Sequence, residues 1–222
     1  MSDVSQLGGG YAESAADPLP TAAAVEAAAR PGSAESRLVI LAGPPGVGKS
    51  AVAAGLVAAL PNGFWVDKDT TAAGFILQAA AAAGLEPSAA YGTPQYWGRL
   101  RPLEYAGSIG LACANLIGDR VVIQVGGWGP ELGVEALWPR LAQRIAPTRL
   151  EVVHLDPPPL EDWRQRMARR GSRCDSPWFD RFAQAVGALP VWDQARRINT
   201  DRPLRQVVQA VLQSLNLGAK NL

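Results

Sequence analysis

The chain has 222 residues, 48% of them apolar, which is enough for one full-sized domain with a buried core. Its 21 basic and 20 acidic residues leave a net charge of +1, which argues against a protein that binds long nucleic acids through a generally basic surface. With two cysteines and a single histidine, the chain lacks the residues for a disulfide scaffold or a structural zinc site.

Residues 1–36 are rich in alanine, glycine, serine and proline and contain one aromatic residue, Tyr11. This composition buries too little apolar surface to offset the entropy of ordering, so we expect a disordered or weakly ordered tail in which only Thr21–Arg30 favours a short helix. No secretory signal pattern is present, and every apolar run is broken before it is long enough to span a membrane. We therefore expect a cytoplasmic protein that does not contact membranes.

From residue 37 onward, apolar runs typical of buried strands alternate with helical patterns. The predicted strands are Arg37–Ala42, Phe64–Val66, Arg120–Val125, Leu150–Leu155 and Arg197–Asn199. The predicted helices are Lys49–Leu60, Thr70–Ala83, Pro102–Ile117, Gly133–Ile145, Leu160–Arg170, Trp178–Val186 and Pro203–Leu215. This alternation predicts a three-layer α/β/α domain over residues 37–222, with a mostly parallel five-stranded sheet.

The segment GPPGVGKS at Gly43–Ser50 fits the phosphate-loop pattern G-x-x-x-x-G-K-[ST] and stands between a predicted strand and a predicted helix. Its glycines allow backbone angles that turn successive N–H groups toward an anion, and the helix that follows adds its positive dipole end. Lys49 is placed to reach the β- and γ-phosphates, and the Ser50 hydroxyl to ligate Mg²⁺. The motif predicts a nucleoside triphosphate bound by Gly43, Pro44, Pro45, Gly46, Val47, Gly48, Lys49, Ser50 and Ala51.

Seven segments together resemble the P-loop kinase-like proteins usually labelled AAA-type ATP-binding proteins, which are relatives of chloramphenicol phosphotransferase, gluconate kinase, zeta toxins and polynucleotide kinase. They are GPPGVGKS at 43–50, VDKDTTA at 66–72, LRPLEY at 100–105, RVVIQVGG at 120–127, HLDPP at 154–158, RQRMARRGSRCD at 164–175 and INTDRPL at 198–204. The resemblance implies a nucleoside-kinase-like P-loop NTPase domain with an arginine-rich lid, and it implies ATP with Mg²⁺ as the phosphoryl donor.

In the resembling kinases, an acidic residue after the second strand takes the proton of the acceptor. The resemblance places Asp69 at that position and leaves Asp67 as its competitor, and both are expected to contact the substrate. Asp67 is also expected to help Ser50 hold Mg²⁺. The alternative for either carboxylate is a structural cap at the strand end or at the start of the next helix.

The segment at 164–175 resembles the lid that closes over the nucleotide, and on a helix Arg166, Arg169, Arg170 and Arg173 would share one face. The resemblance implies that Arg166, Arg169 and Arg170 bind the nucleotide. It also implies that Arg170 and Arg173 act with Lys49 as catalytic groups that stabilise the transferring phosphoryl group. The alternative is a solvated basic helix face.

The sequence departs from these relatives at three positions. Gln124 stands where an aspartate commonly ends the third strand, which leaves Mg²⁺ to Ser50, the phosphates, water and the two aspartates. Ala72 stands where an arginine is expected, so a substrate or phosphate contact is either missing or supplied elsewhere, with Arg99 and Arg101 as candidates. The usual Arg-Asp pair of the lid is interrupted by Cys174.

Aromatic residues near the expected sheet edge, Trp97 and Trp128, are candidates for lining a small-molecule pocket, with ordinary packing as the alternative. His154 lies inside an apolar strand, where a structural role is favoured over a catalytic one.

The sequence therefore favours an ATP-dependent phosphotransferase that acts on a hydroxyl, or less often a nitrogen, of a small molecule. A kinase of nucleic-acid or nucleotide-sugar ends and a non-catalytic ATP-binding switch are the alternatives, and we expect a monomer or homodimer.

Overall fold

A computed structural model describes residues 17–218 of the chain. The strands are β1 Arg37–Ala42, β2 Gly63–Asp67, β3 Val121–Val125, β4 Arg149–Asp156 and β5 Arg196–Asn199. The helices are α1 Leu19–Ala28, α2 Lys49–Ala59, α3 Lys68–Ala82, α4 Arg101–Ala114, α5 Leu137–Ile145, α6 Leu160–Arg169, α7 Trp178–Gly187 and α8 Leu204–Ser214.

The five strands form one sheet in the order β2-β3-β1-β4-β5, and every neighbouring pair is parallel. The predicted three-layer α/β/α fold with a five-stranded sheet is confirmed. Because β1 lies between β3 and β4, the chain leaves β1 toward one edge of the sheet and later returns to its other side. In sheets of this kind, ligands bind at the carboxyl ends of the strands near the point where the strand order reverses.

Alternate side chains of the central strand pack on opposite faces of the sheet. Leu38 and Ile40 belong to the core beneath α1, α4 and α5, whereas Val39 and Leu41 belong to the core beneath α2 and α8. The helix predicted to begin at residue 133 starts instead at Leu137, after a short 3₁₀ turn over Pro130–Gly133. In α5, Pro139 occupies the first turn, where its missing N–H costs no helical hydrogen bond.

The expectation of a disordered or weakly ordered tail is wrong for residues 17–36, although the short helix expected over Thr21–Arg30 is present as α1. The helix α1 packs against α4, and its Val25 and Thr21 are fully buried. The connection to β1 is also packed, because the Ser36 hydroxyl hydrogen-bonds the Thr148 hydroxyl at 2.8 Å across the fold. Residues 1–16 lie outside the described part of the chain.

Within residues 17–218, no helix combines the length and the apolar character needed to cross a membrane.

Candidate functional site

The phosphate loop joins β1 to α2 through backbone angles that its glycines permit. Gly46 and Gly48 have φ values of +81° and +96°, in the left-handed region that costs other residues free energy. Gly48 directly precedes α2, so the free N–H groups at the first turn of α2 face the same space as the loop. This arrangement has the backbone geometry that the motif predicts for an anion cradle.

Within this loop, the Lys49 ammonium folds back onto the loop itself. Its Nζ donates to the carbonyl oxygens of Gly43 and Pro44 at 2.8 and 2.9 Å. Burial and then the neighbouring Arg170 cation lower the pKa of Lys49 to about 7. A bound polyphosphate would add negative charge beside this ammonium and would thereby favour its charged form.

Ser50 and Asp67 form the pair of hard oxygen donors expected for a metal. The Ser50 hydroxyl donates to Asp67 Oδ2 at 3.3 Å, and Asp67 Oδ1 accepts from the Asp69 N–H at 2.9 Å. Asp67 is therefore also the N-cap of α3, as the structural alternative supposed. Burial, and after it repulsion from Asp69, raises the pKa of Asp67.

These donors fit magnesium. Among residues 17–218, no group of three or more His, Cys, Asp or Glu side chains could hold a metal, but Mg²⁺ needs only one or two protein oxygens beside phosphates and water. The Ser50 hydroxyl and the Asp67 carboxylate are oxygen donors of that kind, and a cation between them would relieve the repulsion that raises the Asp67 pKa.

Asp69 lies in the first turn of α3 and is held by a buried lysine. Lys68 Nζ contacts Asp69 Oδ1 at 2.5 Å and Glu104 Oε1 at 2.8 Å. Burial alone would raise the pKa of Asp69, but the ion pair and hydrogen bond with Lys68 outweigh it, so the net direction is downward. Asp69 is therefore an ionised carboxylate with a fixed orientation.

Sequence reasoning missed this Lys68–Glu104 pair. Glu104 is fully buried and also accepts from the Tyr96 hydroxyl at 2.9 Å. A signal was available, because Lys68 is one of only three lysines in the chain and stands between two aspartates.

The predicted lid segment, residues 164–175, covers most of α6 and the turn after it, and α6 lies directly on the phosphate loop. Trp163 Nε1 donates to the Pro45 carbonyl at 2.8 Å, and a Cβ added at Gly46 would lie 2.7 Å from Met167 Sδ. From the same helix, Arg166 Nη2 donates to the Thr200 carbonyl at 2.9 Å, which ties the lid to the loop between β5 and α8.

These residues surround one cleft of about 280 Å³ at the carboxyl edge of the sheet. It is lined by residues of the phosphate loop, of the β2 and β3 ends and of the lid, among them Lys49, Ser50, Asp67, Asp69, Arg166 and Arg170. The structure thus brings together the predicted anion, metal and acceptor groups with two of the predicted lid arginines.

The other two lid arginines are elsewhere. The helix ends at Arg169, which is exposed and does not line the cleft. Arg173 lies beyond the helix, where it pairs with Asp175 at 2.9 Å and covers the Trp178 ring at 4.9 Å. The four arginines do not share one helix face, because Gly171, with φ of +72°, turns the chain after Arg170. The helix would have to continue beyond residue 171 for Arg173 to lie on that face.

The predicted acceptor residues beyond the aspartates are core residues. Arg101 is 1% exposed and forms a two-pronged ion pair with Glu131, with its guanidinium 4.6 Å from the Trp97 ring. Trp128 is fully buried against Tyr105. None of Trp97, Arg101 and Trp128 lines the cleft. The packing alternative describes the two tryptophans, and the ion pair with Glu131 occupies Arg101.

Gln124 is not a substitute for a metal-binding acid. Its amide nitrogen donates to the Ser108 hydroxyl at 3.0 Å, and its oxygen accepts from Trp128 Nε1 at 2.8 Å. Both partners belong to the face covered by α4, whereas the neighbouring Val125 lines the cleft. The Gln124 amide therefore lies in the core and not in the cleft where Mg²⁺ is expected.

No protein-family model matches the chain, and no curated protein matches it. Solved structures do match over most of its length. A tunicamycin resistance protein from Deinococcus radiodurans aligns over 84% of this chain and 99% of its own, with a TM-score of 0.61 and 18% identity. A gluconokinase from Sinorhizobium meliloti 1021 aligns over 81% and 91%, with a TM-score of 0.53 and 15% identity. A shikimate kinase from Bacteroides thetaiotaomicron aligns over 82% and 99%, with a TM-score of 0.51 and 17% identity. The chain therefore has the fold of the P-loop kinases, and the resemblance inferred from its seven motifs is confirmed at the level of the fold.

Proposed function

We propose that the protein is an ATP-dependent phosphotransferase that moves the γ-phosphoryl group to a hydroxyl of a small molecule. The observation that carries this proposal is the composition of one cleft. An anion-binding loop, a Ser–Asp pair suited to Mg²⁺, an oriented carboxylate and two lid arginines line the same 280 Å³ space. A protein that only binds nucleotide has no need of an oriented carboxylate facing the phosphate loop.

The donor side consists of the phosphate loop and the lid. The loop N–H groups and Lys49 would hold the β- and γ-phosphates, and Arg166 and Arg170 would stabilise the charge on the transferring group. Ser50 and Asp67 would hold Mg²⁺, which supplies neutralisation of phosphate charge.

On the acceptor side, Asp69 would orient the acceptor hydroxyl through a hydrogen bond. As the hydroxyl oxygen bonds to the γ-phosphorus, the bond from that phosphorus to the β-phosphate oxygen breaks and ADP leaves. The hydroxyl proton passes to the Asp69 carboxylate. The low pKa of Asp69 suits a base that receives its proton late, when the acceptor oxygen has already become acidic through bonding to phosphorus.

The test is incubation of the full-length protein with Mg²⁺, ATP and a panel of sugars, sugar acids, hydroxylated ring acids and nucleosides. We expect acceptor-dependent ADP formation and an acceptor heavier by one phosphoryl group. Lys49→Ala should abolish both, while Asp119→Asn, at an exposed aspartate near the opposite end of β3, should leave them unchanged. Acceptor phosphorylation that survives in a folded Lys49→Ala protein would contradict the proposed site.

A second pair of variants tests the lid. Arg166→Ala should weaken nucleotide binding and slow transfer, because Arg166 lines the cleft. Arg169→Ala, three residues along the same helix but exposed, is the matched control and should change neither. Equal effects of the two substitutions would indicate a general contribution of lid charge rather than a specific contact.

A further inference from the structure

A second cavity, of about 250 Å³, lies at the same edge of the sheet and shares no lining residue with the nucleotide cleft. The ends of β4 and β5, the loop after β3 and the segment 186–191 that follows α7 enclose it. Pro44 of the phosphate loop lines one side. The proposed phosphotransferase reaction uses none of its residues in a chemical role.

Most of the cavity wall is apolar. Leu132, Val186, Leu189 and Pro190 contribute side chains, and three glycines contribute backbone. An apolar cavity of about 150 Å³ is already large enough to bind a benzene-sized molecule, so this one has room for a ring with a substituent.

The polar part of the wall is a connected group of three side chains. His154 Nδ1 lies 2.8 Å from Asp156 Oδ1, and Arg197 donates to the same carboxylate from Nε and Nη2, the latter at 2.8 Å. The imidazole is largely buried, and the ionised Asp156 selects the form in which Nδ1 carries the proton. The second ring nitrogen, Nε2, is a hydrogen-bond acceptor in the neutral imidazole.

The charges of this group cancel. Asp156 and Arg197 are the charged residues of the cavity lining and they pair with each other, and a neutral imidazole adds no charge to them. An ionised ligand would lose its hydration without gaining an opposite charge, whereas a hydroxyl could donate to Nε2 at little cost. The wall thus favours an uncharged molecule that carries a hydrogen-bond donor group.

We propose that this cavity is a second ligand-binding site, which takes an uncharged organic molecule with a compact apolar ring and a hydroxyl head that donates to His154. The site stands independently of the phosphotransferase function, because its polar group lies outside the nucleotide cleft and, of its wall residues, Pro44 alone belongs to the phosphate loop.

Three probes with the same ring and different heads test the proposal: benzyl alcohol, benzoate and benzylamine. Their dissociation constants for the full-length protein are measured by saturation-transfer and chemical-shift titration in NMR. Benzyl alcohol is expected to bind about tenfold more tightly than either ion, since a buried unpaired charge costs more than a hydroxyl that is hydrogen-bonded. Absence of benzyl alcohol binding, or tighter binding of benzoate, would overturn the proposal.

Two variants locate the probe. Leu189→Trp places a larger side chain in the cavity wall and should abolish benzyl alcohol binding, while Leu204→Trp, at an exposed leucine of α8, should not. His154→Phe keeps a ring but removes Nε2, and should weaken benzyl alcohol about tenfold without weakening toluene. Thermal unfolding checks that each variant is folded. Unchanged binding in a folded Leu189→Trp protein would refute the site.

The test of the second site can be distinguished from a test of the phosphotransferase proposal. Ser50→Ala, at a residue that lines the nucleotide cleft and not the second cavity, should bind benzyl alcohol as the unaltered protein does, whether or not phosphoryl transfer is ever detected. A loss of benzyl alcohol binding in Ser50→Ala would instead place the probe in the nucleotide cleft and would overturn the second site.

Discussion

Arg101 provides the sharpest test of the difference between a substrate contact and a core residue. Its Nε and Nη2 donate to the two carboxylate oxygens of Glu131 at 2.8 and 2.6 Å, and both side chains are almost completely excluded from solvent. Arg101→Met keeps most of the side-chain volume and removes the charge. Glu131 is then a buried carboxylate that has lost its cation.

The magnitude follows from that geometry. Breaking a buried ion pair by removing one partner costs about 3–5 kcal/mol in the free energy of unfolding, because the other charge remains buried. For a chain of this size, 1 kcal/mol changes the midpoint of thermal unfolding by roughly 2–4 °C, so a fall of roughly 6–20 °C is expected. Arg101→Met with Glu131→Leu removes both charges and should recover the stability to within about 1 kcal/mol.

Urea unfolding of the two single variants and the double variant, followed by circular dichroism, gives the free energies. Once an acceptor is known, its KM in the double variant gives an independent readout, which we expect to be unchanged. A stable Arg101→Met protein with a raised KM would refute the core assignment and restore Arg101 as a substrate contact.

Three further outcomes are expected. Asp69→Asn should slow phosphoryl transfer by about 10²–10⁴-fold with little change in ATP affinity, and rescue of the variant by added Mg²⁺ would show a metal ligand instead of a base. Gly46→Ala should weaken binding of a fluorescent ATP analogue more than Gly48→Ala, because both positions have positive φ but only the Cβ at Gly46 meets the lid. Burial alone would raise the pKa of Asp156, but hydrogen bonds from His154 and Arg197 lower it overall. Its stabilising contribution should thus be present above about pH 4 and lost as the pH falls further, and urea unfolding across pH should show a weaker acid dependence in Asp156→Asn.

The sheet could be predicted from sequence because its three central strands are buried on both faces over most of their length. A strand such as Leu38–Leu41, apolar at every position, stands out from its surroundings, and the pattern at Gly43–Ser50 then specifies which end of the strand carries the site. Local pattern and tertiary environment agree here, so the predicted bounds differ from the observed ones by only a few residues.

The acceptor side could not be predicted in the same way, because residue type does not reveal the direction of a side chain. Gln124 and Val125 are adjacent in β3, so the pleat directs their side chains to opposite faces of the sheet. The polar Gln124 side chain lies in the core, whereas the apolar Val125 lines the cleft. Trp128 and Arg101 are residue types common in binding sites, yet each satisfies its polar atoms inside the protein. Only the fold distinguishes a buried polar network from a binding wall.

The helix α1 shows that composition alone did not predict the packing of the N-terminal residues. Alanines give little apolar area for each residue, but they let a helix approach its neighbour closely, and Val25 then reaches a fully buried position. Val25→Ala removes the equivalent of two methylene groups at about 0.8 kcal/mol each and leaves a small void, so it should lower the free energy of unfolding by about 2 kcal/mol. Leu19→Ala in the same helix removes more apolar volume, but Leu19 is 62% exposed, so its cost should stay within about 0.5 kcal/mol. Urea unfolding of both variants decides the matter: equal, small effects would mean that α1 contributes nothing to the stability of the domain, as the composition alone had suggested.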